Sequence, residues 1–256
     1  MALVSSHLPC DACGSSDALA EYDTSTYCFS CHSHTFLKQG NSMGSQMEDV
    51  SLEPNEVKLP KGATREIPPD GMKWLWKYGI TEEQIDIYGI KHCQHGSFRG
   101  YNGRVVNYHN RILLPCYDMS ELKFYQARAL REDDEPKYYT AGYKEYMFRS
   151  KQAETNYVIL VEDILSAIKV GAVAKTVSLL GTKMNDKQVL TLLHKYDTII
   201  VWLDSDKAGR TGSKQIKGLL DLVANSVEIK TDGDPKCYTE EEIKALVQTA
   251  LEALDI

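Results

Sequence analysis

The chain has 256 residues, 43% hydrophobic and 25% charged, and a net charge of −7. That length allows one large domain, or one ordinary domain with a small companion. No stretch approaches the run of about 18 apolar residues that crosses a bilayer, and the start, Met1-Ala2-Leu3-Val4-Ser5-Ser6-His7, lacks both the basic region and the apolar run of an export signal, so a soluble, cytoplasmic protein without membrane partners is expected.

Residues 1–38 carry Cys10, Cys13, Cys28 and Cys31, while Cys93, Cys116 and Cys237 are scattered. Two CxxC pairs turn four thiolates toward one point, the tetrahedral set that suits zinc, and Gly14 lets the first knuckle turn tightly. Four protein ligands leave no open position, so a structural Zn²⁺ is expected, and its binding would supply the folding free energy that so short a module lacks. A redox pair or a disulfide frame would use the same residues, and His7, His32 and His34 lie close enough to substitute as ligands. With Lys38 set against Asp11, Asp17, Glu21 and Asp23, this zinc ribbon is acidic. Any DNA binding by it would rest on side-chain recognition rather than bulk attraction.

Residues 39–64 read as a flexible linker, rich in Gly, Ser, Asn, Glu and Pro with no apolar periodicity. Residues 65–151 read as a mixed α+β lobe. A short helix follows Pro68-Pro69-Asp70 and ends near Gly79, and Thr81-Glu82-Glu83-Gln84 has the form of a capping box opening a second helix through Ile85 and Tyr88. Residues 104–130 favour strands, with Arg111-Ile112-Leu113-Leu114 and Leu122 to Ala127 flanking a polar turn at Asp118-Met119-Ser120. From Lys91 to Lys151 there are 11 Lys/Arg against 7 Asp/Glu, a surplus of 4, which leaves 18 against 29 elsewhere. A basic patch on an acidic body suits a protein that binds polyanions in one place and cations in another, although ordinary scatter of surface charge meets the same count.

Residues 152–256 alternate apolar runs at 158–161, 176–180, 198–203 and 226–229 with helix-like stretches at 164–170, 186–194, 207–223 and 240–254. That pattern predicts an α/β fold with a parallel sheet covered on both faces, whose chemistry lies at the carboxyl ends of the strands. Glu162 and Asp163 close the first run. Asp204 and Asp206 close the third, project the same way in extended chain, and have no basic neighbour in sequence except Lys207 and Arg210. Carboxylates crowded at one rim repel unless a divalent cation binds between them, and hard oxygen ligands select Mg²⁺ or Mn²⁺. Asp163 reads as a helix cap; two acids directly after TIIVWL do not read as a solvated turn. No G-x-x-x-x-G-K-[ST] run occurs, so a nucleotide-hydrolysing motor of that type is absent from the sequence.

Glu162 after an apolar strand, Ser178-Leu179-Leu180-Gly181-Thr182, Leu203-Asp204-Ser205-Asp206-Lys207-Ala208-Gly209-Arg210 and Asp232-Gly233-Asp234-Pro235 together resemble the Toprim domain of DnaG-type primases. Arg111 to Pro115, Gln126-Ala127-Arg128, Pro136-Lys137-Tyr138 and Phe148 resemble the basic nucleotide-handling lobe of those primases, and Thr81-Glu82-Glu83 with Ile90 a helical element before it. With an amino-terminal four-cysteine ribbon and a linker, the order of parts is similar to the primase half of the primase-helicases of short-tailed phages, for which the compartment is the host cytoplasm. The resemblance implies a polymerase that joins ribonucleoside triphosphates into short primers on single-stranded DNA, working with a replicative helicase on another chain or a missing part. It implies that Glu162, Asp204 and Asp206 are catalytic and hold Mg²⁺ with Asp234 in support, Glu162 also serving as a general base. Arg111, Arg128, Lys137 and Tyr138 would contact triphosphate and template, whereas Lys123, Arg131 and Lys144 read as solvated surface.

The sequence departs from the family where Gly usually follows the catalytic Glu (here Asp163), where an Asp usually stands four residues beyond it (Ser166), and after the DP element (Lys236). In the ribbon, Ser25 and His34 stand where phage relatives carry His and Trp, so the preferred template triplet need not match theirs. Three other classes use related parts. A RecR-like recombination mediator joins four cysteines to a Toprim-like fold as a DNA-binding scaffold without polymerase activity, but needs a helix-hairpin-helix ahead of its cysteines. A Toprim nuclease or topoisomerase needs a larger cleavage domain, and a degenerate Toprim needs no chemistry at all.

Overall fold

The computed structural model describes residues 3–9, 15–16, 18–22, 25–29, 34–36, 57–99, 105–142 and 146–255. The chain divides into two units, Met1–Pro54 and Asn55–Ile256. In the first, the described strands β1 (Leu3–Leu8), β2 (Leu19–Tyr22), β3 (Ser25–Cys28) and β4 (His34–Phe36) pair antiparallel in chain order. Cys28 ends β3 and is buried. Cys10, Cys13 and Cys31 lie outside the described residues, so the zinc set rests on its spacing.

The second unit opens with an antiparallel sheet in the order β5 (Ala63–Thr64), β6 (Lys91–Arg99), β7 (Val105–Asp118), β8 (Glu121–Ala129) and β9 (Tyr138–Gly142). β7 and β8 form the hairpin read from sequence. Its two turn residues, Met119 and Ser120, have φ of 46° and 71°, the left-handed pair whose twist matches flanking strands. Helix α1 (Pro69–Lys77) starts on the proline, and α2 (Glu82–Tyr88) starts on the expected capping box, with Gln84 N to Thr81 Oγ1 at 3.1 Å and Thr81 N to Gln84 Oε1 at 3.0 Å.

The other sheet has the order β10 (Phe148–Arg149), β12 (Thr176–Ser178), β11 (Tyr157–Val161), β13 (Thr198–Val201) and β14 (Asn225–Glu228). β11 to β14 run parallel, and β10 covers the edge of β12 in the antiparallel sense. Helices α3 (Ile164–Val170), α4 (Asp186–Leu193), α5 (Lys207–Leu220) and α6 (Glu240–Glu252) follow the strands in turn.

Alternate strand residues explain why both faces are dry. Ile159, Val161, Ile200 and Trp202 pack against Ile164 and Ile168 of α3 and Ile243 and Val247 of α6. Val158, Leu160, Ile199 and Val201 pack on the opposite face against Leu192 of α4 and Ile216 and Leu220 of α5. The first core also takes in Leu75, Ile80, Ile112, Leu114, Phe124 and Phe148, so the antiparallel lobe and the parallel sheet share one hydrophobic interior. Among the described residues no helix is long and apolar enough to cross a membrane.

Candidate active site

The chain leaves β11 for β12 on one side, then returns to β13 on the other. This reversal opens a crevice beyond the carboxyl ends of β11 and β13. The two strands are locked side by side, with Leu160 opposite Val201 and Trp202 N donating to Leu160 O at 2.9 Å. Glu162 and Asp163 after one strand and Asp204 and Asp206 after the other therefore reach a common rim.

The four carboxylates are not equivalent. Asp163 caps α3 as expected: its Oδ1 accepts from Leu165 N (2.9 Å) and Ser166 N (3.1 Å), and its Oδ2 from Ser166 Oγ (2.8 Å). Ser166 thus completes a cap. Asp206 also serves the fold, its Oδ1 accepting from Gly209 N at 2.7 Å at the head of α5. Reading both acids of Asp204-Ser205-Asp206 as free of structural work is corrected for Asp206, because a strand running straight into a helix needs an N-cap.

Glu162 and Asp204 have no such employment. Glu162 Oε2 and Asp204 Oδ1 are buried and without a hydrogen-bond partner among the described residues. Burial, followed by the charges of Asp204, Asp206 and Asp163, pushes the Glu162 carboxyl up to about 7. Burial likewise pushes Asp204 up to about 6, against the opposing pull of Lys236. Buried acceptors left unmatched are costly, and either a retained proton or a hard cation bound between them would relieve it.

Sequence reading missed the cation that stands here already. Lys236 Nζ lies 2.9 Å from Asp163 Oδ2, 3.4 Å from Asp204 Oδ2 and 3.1 Å from Asp234 Oδ2, with its side chain only 13% exposed. Burial opposes the ammonium, but the three carboxylates outweigh it and hold its pKa above the ordinary lysine value. Asp234 also accepts from Ser205 N at 3.3 Å. The only advance signal was that a lysine followed Asp234-Pro235. Among the described residues no three His, Cys, Asp or Glu side chains gather closely enough to hold a metal ion unaided.

Of the basic candidates, Arg128 and Tyr138 meet near this rim. The Arg128 guanidinium lies over the rings of Tyr138 (5.0 Å) and Trp74 (5.6 Å). Tyr138 is 40% exposed as a residue, yet burial pushes its hydroxyl up to about 12, with Asp163 adding to the rise and Arg128 and Lys236 opposing it. Its polar end therefore lies within electrostatic reach of the carboxylates while part of the ring faces solvent. Lys137 beside it is exposed. Trp74 lies in the short helix expected before Gly79; its place in this stack depends on β8 and β9, which local pattern does not reveal.

Arg111 lies inside the lobe, 3% exposed, rather than at a nucleotide-facing surface. Its Nη1 donates to the carbonyls of Ala127 (3.0 Å), Pro136 (2.8 Å) and Lys137 (3.3 Å), and its guanidinium covers the Tyr139 ring at 4.5 Å. Arg131 pairs with Asp133 at the surface, Lys123 pairs with Glu121 with its side chain half-buried against Tyr146, and Lys144 falls outside the described residues.

Beside Asp204 opens a cleft of about 600 Å³ whose lining includes Ser205, Arg210, Ser213, Lys214, Lys230 and Thr231. It sets cationic and hydroxyl donors next to the acidic rim, and Arg210 is held there by its Nε donating to Ser205 O at 2.7 Å.

Residues 160–239 match the model of the Toprim-like family. No curated protein matches the chain in sequence. Among solved structures, the zinc-binding and RNA polymerase domains of the Aquifex aeolicus primase align over 73% of this chain and 56% of that one, with 16% identity and a TM-score of 0.56. This chain thus spans little more than half the length of that relative. The DnaG primase catalytic domain bound to ssDNA aligns over 72% of this chain and 74% of that one, with 18% identity and a TM-score of 0.57. The primase fragment of the bacteriophage T7 primase-helicase protein aligns over 97% of this chain and 99% of that one, but its 14% identity and TM-score of 0.48 are too low to carry an argument. The likeness to DnaG-type primases read from short motifs holds at the level of fold.

Proposed function

We propose that this chain is a DNA primase that synthesises short RNA primers on single-stranded DNA by metal-dependent nucleotidyl transfer. The observation that carries the reading is the pair of orphaned buried oxygens, Glu162 Oε2 and Asp204 Oδ1, at the crevice between β11 and β13. Glu162, Asp204 and Asp206 are the residues that would hold a divalent ion, Mg²⁺ or Mn²⁺, with Asp234 in a supporting place. Such an ion lowers the pKa of an attacking 3′-hydroxyl and offsets charge on the triphosphate and the departing pyrophosphate.

The chain's own side chains account for the rest. Glu162, at the end of β11 beside the crevice, would accept the proton of the primer 3′-hydroxyl. Arg210, Lys214 and Lys230, in the cleft beside Asp204, suit the phosphate oxygens of an incoming ribonucleoside triphosphate. Arg128 and Tyr138, with Trp74 behind, offer a cationic and aromatic platform on which a template base stacks, and Lys137 a point charge for its phosphate. Arg111 fixes the backbone that presents Lys137. In the amino-terminal unit, Cys10, Cys13, Cys28 and Cys31 would hold a structural Zn²⁺ and select the template; a replicative helicase would supply the exposed strand. A cytoplasmic site of action, the host's for a phage protein, follows from that role.

The test uses labelled ribonucleotides, Mg²⁺ and a set of single-stranded templates. The wild-type chain should produce short oligoribonucleotides. Asp204→Asn should lower that yield by at least about a hundredfold, since electrostatic stabilisation of a transition state is worth several kcal/mol. Its affinity for single-stranded DNA should stay within about twofold. Lys236, already paired with three of the acids, favours one rival: a RecR-like scaffold that binds DNA without polymerising. A wild-type chain that binds template and makes no primer would establish that rival.

A further inference from the structure

We infer that Lys236 is a resident cation of this centre: it occupies the place of a second metal and limits the site to one divalent ion, held by Glu162 and Asp204. The inference rests on the metal-dependent reading above and sharpens it.

The assignment follows from an inventory of acceptor oxygens. Asp163 has none left, because its Oδ1 takes two backbone N–H groups and its Oδ2 takes Ser166 Oγ and Lys236 Nζ. Asp234 is similarly engaged, with Oδ1 on Ser205 N and Oδ2 on Lys236 Nζ. Asp204 is divided: Oδ2 faces Lys236 at 3.4 Å, and Oδ1 is buried without a partner. Glu162 Oε2 is likewise buried without a partner among the described residues, and Asp206 spends Oδ1 on Gly209 N.

The carboxylates thus fall into two sets that meet at Asp204. One, with Asp163 and Asp234, already encloses a positive charge whose three contacts lie at ion-pair distance. The other, Glu162 and the remaining face of Asp204, encloses none. A second divalent ion among Asp163, Asp204 and Asp234 would have to displace a lysine that is 13% exposed and held by three carboxylates, leaving an ammonium buried without partners. One Mg²⁺ held by two carboxylates and completed by substrate phosphates is a common arrangement for that ion.

Lys236 also acts before any metal arrives. Its charge offsets part of the mutual repulsion of the carboxylates, and the metal-free centre depends on it. It is a positioning residue: it sets where Asp204 points and how many ions enter.

The test counts Mn²⁺ bound to the full-length, zinc-loaded chain by the paramagnetic resonance signal of the free ion, without nucleotide. The wild type should bind one Mn²⁺ per chain at saturation. Lys236→Met, which keeps length and loses charge, should bind two, and its Mn²⁺-free melting temperature should drop by several degrees and recover when Mn²⁺ is added. Lys236→Arg should keep the count at one. Two ions on the wild type overturn the inference while leaving the metal-dependent function standing, and this count decides even where Lys236→Met fails to fold. A Lys236→Met variant that binds one ion with wild-type affinity and melts as the wild type overturns it as well. No Mn²⁺ on the wild type defeats the metal-dependent reading and this inference together.

Discussion

Gly209 sits so close to the backbone of Asp204 that a Cβ on it would stand 2.1 Å from the Asp204 carbonyl oxygen. The first turn of α5 is thereby pressed against the loop that presents the key carboxylate, and the hydrogen bond from Gly209 N to Asp206 fixes the approach. Gly209→Ala, normally helpful inside a helix, should here cost about 1–3 kcal/mol by overpacking and lower primer synthesis as Asp204→Asn does. Gly218, in the same helix with nothing within 4 Å of its would-be Cβ, is the control: Gly218→Ala should stabilise by about 0.5–1 kcal/mol. Urea denaturation of the two variants checks both signs, and equal effects would refute the contact.

The metal-free protein should lose stability as pH rises. Glu162 at about 7 and Asp204 at about 6 both lie above their ordinary values of 4.5 and 3.8. Between the ordinary and the raised value, the folded chain keeps protons that the unfolded chain has released. The resulting stability is full below the ordinary values and is lost as pH climbs through 6 and 7. In chelator, the melting temperature should therefore fall between pH 5 and 8, with a shallower fall for Asp204→Asn and for wild type in saturating Mg²⁺. A flat profile in chelator would count against the raised values.

Two arginines that look alike in sequence should behave differently. Arg111 serves three backbone carbonyls from inside the lobe, so Arg111→Met should destabilise by on the order of 2–4 kcal/mol, and Arg111→Lys should recover only part of it because an ammonium lacks the guanidinium fork. Arg128→Ala should instead weaken single-stranded DNA binding several-fold and reduce its salt slope by about one. Thermal melts and salt-dependent anisotropy on each variant separate the two roles. The reverse pattern would return Arg111 to the interface.

Elemental analysis should find one zinc per chain, and Cys28→Ser should release it. Limited proteolysis should then cut within Met1–Pro54 while Asn55–Ile256 resists, as expected of separate units. A zinc-free chain with a protease-resistant amino terminus would exclude the four-cysteine site.

Local chemistry made much of the larger unit legible. Buried parallel strands must be unbroken apolar runs, so VILV and TIIVWL announced β11 and β13. Thr81 with Gln84 announced α2, because a capping box is complete within four residues. β6 was not legible: KHCQHGSFR has no clean alternation, its burial ending after the first few residues. Lys236 was visible as an odd residue but not as an ion partner, since Asp163 lies 73 residues away in sequence and Asp204 32. The burial of Arg111 was equally hidden. Its acceptors come from β8 and the approach to β9, and no pattern in Arg111-Ile112-Leu113-Leu114 reveals which side of the lobe they occupy.

The same long-range logic bears on the division drawn at residue 152. β10 lies before it, yet Phe148 and Arg149 pair with Ser178 and Val177, and Ser150 exchanges bonds with Thr176 through its amide and hydroxyl at 2.8 Å. A chain cut at 152 would present β12 with a row of unsatisfied amides and carbonyls, an adhesive border that invites pairing with its own copies. The segment that leads out of the antiparallel lobe is thus also the selvedge of the parallel sheet. A second half expressed from residue 152 should therefore aggregate more readily than one that begins ahead of Phe148.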